Sequence, residues 1–379
     1  YSQLSAQGGE PPYHWSLVSS SADGFAVDHE GGVLSGPKPS AGEEIVLLIR
    51  LADSQEGVVE KEFSLVDEET LPPVSRLLAQ ASDAKVGLAW TAPKHPLFSH
   101  VAVIKNTSKP PMDYLDGELV YSGTASNILD SAVVNGETYH YAAFAAYQME
   151  SYSEAPDSAR STATPAPVAL RKKPDICADA VSSFSPLDPG NTAGASRLPA
   201  IVLGLPQGGG ENFGASDVVS LHSRINNDNS RSAPYGGSIV VEFTDNIVTN
   251  GPGADFTVFE NAFRVFGTST YWIEPAVIDV SIDGETFHRF PFDFVPHYHD
   301  DGTLNLHNPQ VYARGFAGVR PVFSANGTPD PRNPTTAGGD AFDLSALPGQ
   351  PFSWIRFVRI TATGDNWLSD QNGDKVRHS

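Results

Sequence analysis

Apolar residues in this chain come in short runs that alternate with period two, and each run is cut by glycine, proline, asparagine or aspartate. That pattern suits strands and disfavours long amphipathic helices, which need apolar positions every three to four residues. Glu44-Ile45-Val46-Leu47-Leu48-Ile49-Arg50-Leu51 lies between Ala41-Gly42 and Asp53-Ser54 and is too short for a helix. Lys85-Val86-Gly87-Leu88-Ala89-Trp90 places Val86, Leu88 and Trp90 on one face, and Thr138-Tyr139-His140-Tyr141-Ala142-Ala143-Phe144 does the same with aromatics. Ser238–Phe243, Asp255–Phe259, Ala276–Ile282 and Trp354–Thr361 continue the pattern. With 34 glycines and 30 prolines in 379 residues the chain is rich in turn formers, while its 40 % apolar content is too high for disorder. The expectation is an all-β chain of three tandem β-sandwiches, each of two sheets packed face to face.

Punctuation sets the boundaries. Asp67-Glu68-Glu69 followed by Leu71-Pro72-Pro73 cannot continue a ladder, so a first domain covers residues 1–70. A second covers 71–165 and closes in Ser161-Thr162-Ala163-Thr164-Pro165-Ala166-Pro167, with a linker at 166–174. The remainder, 175–379, is long enough for one large sandwich. Lys+Arg 24 against Asp+Glu 45 leaves a formal charge of −21, which disfavours nucleic acid and anionic membrane surfaces as partners. Cys177 is the single cysteine, so no internal disulfide is expected, and no stretch reaches the about 18 apolar residues of a membrane span. With Tyr1 first and no signal-like stretch, the sequence reads as a soluble mature fragment.

Three resemblances rest on particular strings. Ala6-Gln7-Gly8-Gly9-Glu10-Pro11-Pro12-Tyr13-His14-Trp15-Ser16-Leu17 with Gly31-Gly32-Val33-Leu34-Ser35-Gly36 resembles the bacterial putative Ig (cadherin-like) repeat, in which Tyr13 and Trp15 would share a strand face and fill the core. Val86-Gly87-Leu88-Ala89-Trp90-Thr91-Ala92-Pro93 and Asn135-Gly136-Glu137-Thr138-Tyr139-His140-Tyr141 are similar to the two signature strands of a fibronectin type III module. Tyr235–Val248, Gly251–Phe263, Glu274-Pro275-Ala276, Ser281–Phe287 and Ala337–Leu344 are together similar to a bacterial cell-surface domain of poorly defined function. That resemblance implies a larger jelly-roll or galactose-binding-like sandwich, a fold found in carbohydrate-binding modules and often holding structural calcium. This copy stops before the closing strand the family adds beyond the position of Asp374, which implies a cut chain or a strand supplied by another molecule.

Candidate chemistry concentrates in the last domain. Asp245, Asn246, Asp255, Glu260 and Asn261 flank two strands, and Asp340 and Asp343 lie in a glycine-rich loop. Calcium takes six to eight such oxygens, so Asp245, Asp255, Glu260, Asn261, Asp340 and Asp343 are the candidate ligands of a structural calcium; turn formation is the alternative reading of the same residues. Asp370-Gln371-Asn372-Gly373-Asp374 has EF-hand-like oxygen spacing but Lys375 where glycine belongs, and reads as a frayed acidic tail. His297, His299 and Asp301 fall on one face of a strand and could reach one metal, although neither HExxH nor HxHxDH accompanies them. Tyr271, Trp272 and Trp367 sit in polar, loop-like surroundings and are the candidate ligand-binding aromatics, because ring faces stack on pyranoses. With no catalytic constellation, the expected function is a non-enzymatic extracellular or cell-surface binding or adhesion protein whose partner is a glycan or a surface or filament protein. The alternatives are a self-associating structural subunit of a filament or surface layer, assembled by strand addition, and a metal-dependent hydrolase built on His297, His299 and Asp301.

Overall fold

A computed structural model describes residues 2–39, 43–66, 71–148, 151–167, 176–187, 192–215, 217–221, 236–295, 307–349, 351–363, 369–370, 372–374 and 376. Among them the chain is β-rich, and its two α-helices, Pro309–Tyr312 and Pro334–Ala337, are single turns. No helix among the described residues is long and apolar enough to cross a membrane.

In the first segment Glu44–Ala52 pairs with His14–Ser20 on one side and Val58–Val66 on the other, and a second three-stranded sheet is ordered Ser2–Gln3, Val33–Ser35, Ala26–Val27. Ile45, Leu47 and Ile49 are buried while Glu44 and Arg50 face solvent, the period-two alternation read from the sequence. They close on Leu34 and Trp15. Tyr13 behaves differently from the expectation: it lies outside the strand, half-buried, and its hydroxyl donates to the Gly8 carbonyl at 2.8 Å. A polar ring tip beside an available carbonyl is better placed at the rim than in the core.

The second segment sets a three-stranded sheet, ordered Asn127–Asp130, Lys85–Thr91, Ser75–Ser82, against a five-stranded one in which Glu118–Gly123, Phe98–Asn106 and Tyr139–Tyr147 lie side by side. Val86, Leu88 and Trp90 enter the core with Val101, Val103, Tyr141 and Phe144. An ion pair is buried among them: Lys105 Nζ stands 3.1 Å from Asp130 Oδ2 and donates to the Ala132 carbonyl at 2.8 Å. The Tyr141 hydroxyl donates to the same carboxylate at 3.0 Å. Burial first, and the Asp130 charge after it, raise the Tyr141 hydroxyl pKa well above the usual phenol value.

The third segment is built on a five-stranded sheet in the order Ala180–Ser185, Ser238–Glu242, Phe357–Ala362, Ala276–Ser281, His288–Arg289. Ala276–Ser281 is buried on both faces: Ile278 and Val280 enter a core with Phe290, Phe342 and Val358, while Val277 joins Ile273, Phe294 and Phe316. The run Trp354–Thr361 is not one strand. Trp354–Ile355 pairs with Val248–Thr249, and the chain crosses at Arg356 into the large sheet, where Phe357–Ala362 begins. Arg356 is held at that crossing by Glu242. The described residues of the 370–374 string, Asp370 and 372–374, form a hydrogen-bonded turn. Asp370 is buried and accepts N–H bonds from Phe294, Asn372 and Asp374, which leaves it capping a turn in place of binding an ion, and Val376 behind it is fully buried.

The second and third segments are packed together more tightly than a chain of beads implies. With Val86 and Leu88 turned inward, Gly87 faces out, and the Trp354 indole covers it so closely that a Cβ there would lie 2.5 Å from the ring. Trp354 Nε1 donates to the Leu88 carbonyl at 3.1 Å. Beside it Asn127 accepts from the Ser353 N–H at 2.8 Å and donates to the Pro351 carbonyl at 3.3 Å, and Gln80 donates to Thr244 at 3.0 Å. A β-bulge sets Arg76 at φ 55° and its guanidinium 2.8 Å from Glu285.

Candidate functional site

The six acidic and amide candidates divide by what their oxygens do. Asp255 accepts from Gly251 N at 2.7 Å through one oxygen and from Leu344 N at 2.8 Å through the other; Asp343 caps the Leu344–Ala346 turn through Ser345 N at 2.8 Å. These two are close enough that the Asp343 charge adds to the burial that raises the Asp255 pKa, yet both are engaged by main-chain N–H groups. Asp245 follows the Thr244 carbonyl that receives Gln80, at the contact with the second segment.

Glu260, Asn261 and Asp340 come together. The Phe256–Val258 and Asp340–Phe342 strands pair with Val258 opposite Asp340, and the chain turns into Glu260 just beyond. Burial pushes the Glu260 carboxyl up to about 7; the Asn261 N–H, 2.5 Å from Oε2, opposes that, and the Glu274 and Asp340 charges add to it. Asp340 is pushed up to about 7 by burial, against the N–H groups of Val319 and Arg320 that it accepts at 3.0 and 3.4 Å. Two carboxyls raised side by side form a place where negative charge lacks compensation. Asn261 Oδ1 is buried without a hydrogen-bond partner, against Gly214, where a Cβ would stand 2.4 Å from it. Gly318, at φ 79°, packs tightly against both Glu274 and Glu260: a Cβ would stand 2.5 Å from the Glu274 carbonyl oxygen and 3.1 Å from Glu260 Oε2. Carboxylate, amide and carbonyl oxygens are the donor types calcium takes. Among the described residues no three His, Cys, Asp or Glu side chains form a metal-holding group. Glu274 and Gly318 were not recognisable from the sequence as partners, since only the fold brings them to Glu260.

The aromatic candidates lie on a hairpin of Phe263–Arg264 and Tyr271–Trp272, closed by Val265 N donating to the Thr270 carbonyl at 2.9 Å. Arg264 pairs with Tyr271 across it. The Tyr271 hydroxyl donates to Glu211 Oε1 at 3.2 Å, and the Arg264 guanidinium donates to Asn212 at 3.2 Å while standing 3.3 Å from Glu211. Burial and then Glu211 raise the Tyr271 hydroxyl pKa, although it stays partly open to solvent. Trp272 is 41 % exposed, and the sequence reading missed two further exposed rings, Phe213 at 64 % and Phe266 at 77 %, with centroids 6.3 Å apart and planes 29° from parallel. Neither Phe213 nor Phe266 stands in an aromatic string, so only proximity in space reveals them. Trp367, His297, His299 and Asp301 lie outside the described residues.

No protein-family model and no curated protein matches the chain. Among solved structures, a SusE-like protein aligns with 80 % of this chain and 92 % of its own at 10 % identity and a TM-score of 0.26. Superposition that loose establishes no shared site, and the site described above stands on this chain's own residues.

Proposed function

We propose that this chain is a non-enzymatic extracellular or cell-surface binding protein. Its first two segments, similar to Ig-like and fibronectin type III modules, act as spacers, and its third, jelly-roll-like segment holds a glycan at the Phe263–Trp272 hairpin. One observation carries this reading: Phe213 and Phe266 stack on each other in water beside a polar network that is already fixed. Burying one phenylalanine is worth about 1.5–3 kcal/mol, so two rings kept exposed side by side favour a surface with an occupant. Pyranoses have apolar faces for such rings, and their hydroxyls suit Glu211, Asn212 and Arg264. The experiment is a glycan array followed by calorimetric titration of the best hit. Phe266→Ala weakens binding about 10- to 100-fold, the loss of one ring contact of about 1.5–3 kcal/mol. Unchanged affinity in Phe266→Ala and Trp272→Ala would remove the hairpin from the reading.

Structural calcium, held by Glu260, Asn261 and Asp340 with the Glu274 carbonyl, is part of the same proposal. Both carboxyls have folded pKa values above the ordinary carboxylate value, so the native chain binds more protons than the unfolded chain between about pH 4 and 7. Their contribution is therefore favourable below that window and is lost as pH rises through 7. In EDTA the melting temperature of the third segment falls between pH 5 and 8, and Glu260→Gln flattens that fall. Calcium at 100 times its dissociation constant adds about 2.7 kcal/mol at pH 8, and protons displace it at pH 5. A melting temperature indifferent to calcium at pH 8 excludes the ion.

A further inference from the structure

The first segment carries a pair of histidines that none of the preceding chemistry uses. His14 opens the His14–Ser20 strand, and His29 sits in the turn before Val33–Ser35. The Trp15 N–H donates to the His29 carbonyl at 2.8 Å, which fixes the two backbones side by side. Asp28 closes the turn from the other end: its carboxylate accepts the Gly31 N–H at 2.5 Å and its carbonyl accepts the Gly32 N–H at 3.0 Å. Both rings are thus placed by main-chain geometry, with centroids 4.6 Å apart and planes inclined by 37°. Their Nδ1 atoms face each other at 3.3 Å.

We infer that His14 and His29 form a two-histidine site for a divalent transition metal of tetrahedral preference, zinc above all. Two imidazole nitrogens bound at 2.0–2.1 Å to one tetrahedral ion lie about 3.3–3.4 Å apart, the separation found here. The rings need not be drawn together to receive the ion. Each would bind through Nδ1 with its proton on Nε2; the ring that donates Nδ1–H to the other in the free protein would shift that proton to Nε2, so a neutral pair loses no net proton and the ion replaces the hydrogen bond. His14 and Glu30 line a pocket of about 530 Å³ together with Leu4, Pro12 and Tyr13. His29 lies outside that lining and is exposed, so the remaining coordination positions face solvent. Glu30, Asp28 and the chain's charge of −21 favour a cation. Calcium, which prefers oxygen, does not compete for two imidazoles, so this site is independent of the one proposed around Glu260.

The test is calorimetric titration of zinc into the EDTA-treated, dialysed full chain at pH 7.5, repeated with His14→Gln, His29→Gln and, as a control, His100→Gln, an imidazole on the second segment. The expected result is one equivalent that weakens at least tenfold in each of the first two variants and persists in the third. Because His29 is exposed, its variant should melt with the wild type; cobalt added to the unmodified chain provides a second reading through the absorption of a tetrahedral, nitrogen-ligated ion. The same number of equivalents at the same affinity in all four proteins, or no saturable binding, overturns the inference.

Discussion

Trp354→Ala lowers the stability of the chain by about 3–5 kcal/mol, the range for removing a buried tryptophan, and the loss is felt in two segments at once. The indole is fully buried, and part of what buries it belongs to the other segment: Gly87 beneath the ring, the Leu88 carbonyl on Nε1, and Asn127 bonded to the neighbouring Pro351 and Ser353. Removing it leaves a cavity at a seam, so the expected thermal record changes from one coupled transition of the second and third segments to two, the lower shifted by roughly 10 °C. Gly87→Ala approaches the same seam from the opposite side, since its new methyl group would overlap the ring, and it should uncouple the transitions without deleting core volume from either segment. Differential scanning calorimetry decides. Two independent transitions already present in the unmodified chain would show that the seam carries no coupling.

Asp130→Ala costs about 3–5 kcal/mol, the scale seen when one partner of a buried ion pair is removed. Lys105 would keep the Ala132 carbonyl and a 3.5 Å approach to the largely exposed Glu118, neither of which replaces a carboxylate at 3.1 Å in the core. The Tyr141 hydroxyl would lose its acceptor as well. Replacing both charges, with Lys105→Met and Asp130→Leu together, should recover most of the loss, because neither member is then left buried and uncompensated. Urea unfolding of the single and double variants measures the coupling. Equal instability in the double variant would mean that shape at these positions, and not charge compensation, sets the cost.

Period-two alternation was enough to find most of the sheet-forming runs. Ile45, Leu47 and Ile49, or Val86, Leu88 and Trp90, each report one buried face, because a strand side chain has only two directions to choose from. Alternation says nothing about what lies beyond the sheet it belongs to. Gly87 reads as a weak point in a strand, and Trp354 as an ordinary core residue of its own segment, until the two are seen in contact. Lys105 was likewise hidden, since a lysine in an apolar strand normally marks an outward face and its partner Asp130 is on a different strand. In the candidate site, aspartates and asparagines between strands were legible as turn or ligand residues without a way to choose. The hydrogen bonds make the division: Asp255 and Asp343 have main-chain N–H partners, whereas Asn261 Oδ1 has none. Phe213 and Phe266 were invisible because each stands alone in sequence and they meet only where the hairpin comes back beside the 211–214 stretch.

The most direct measurement of the binding role is a two-dimensional NMR record of the tryptophan indole N–H signals as the array-selected glycan is titrated into the calcium-loaded chain. Trp15, Trp90 and Trp354 are buried in the three segments and serve as internal references, while Trp272 stands exposed on the hairpin. The Trp272 signal should move in proportion to occupancy, the three buried ones should stay, and Phe266→Ala should abolish the movement at the same glycan concentration. Saturating glycan that leaves the Trp272 signal in place contradicts the assignment of this hairpin as the binding surface.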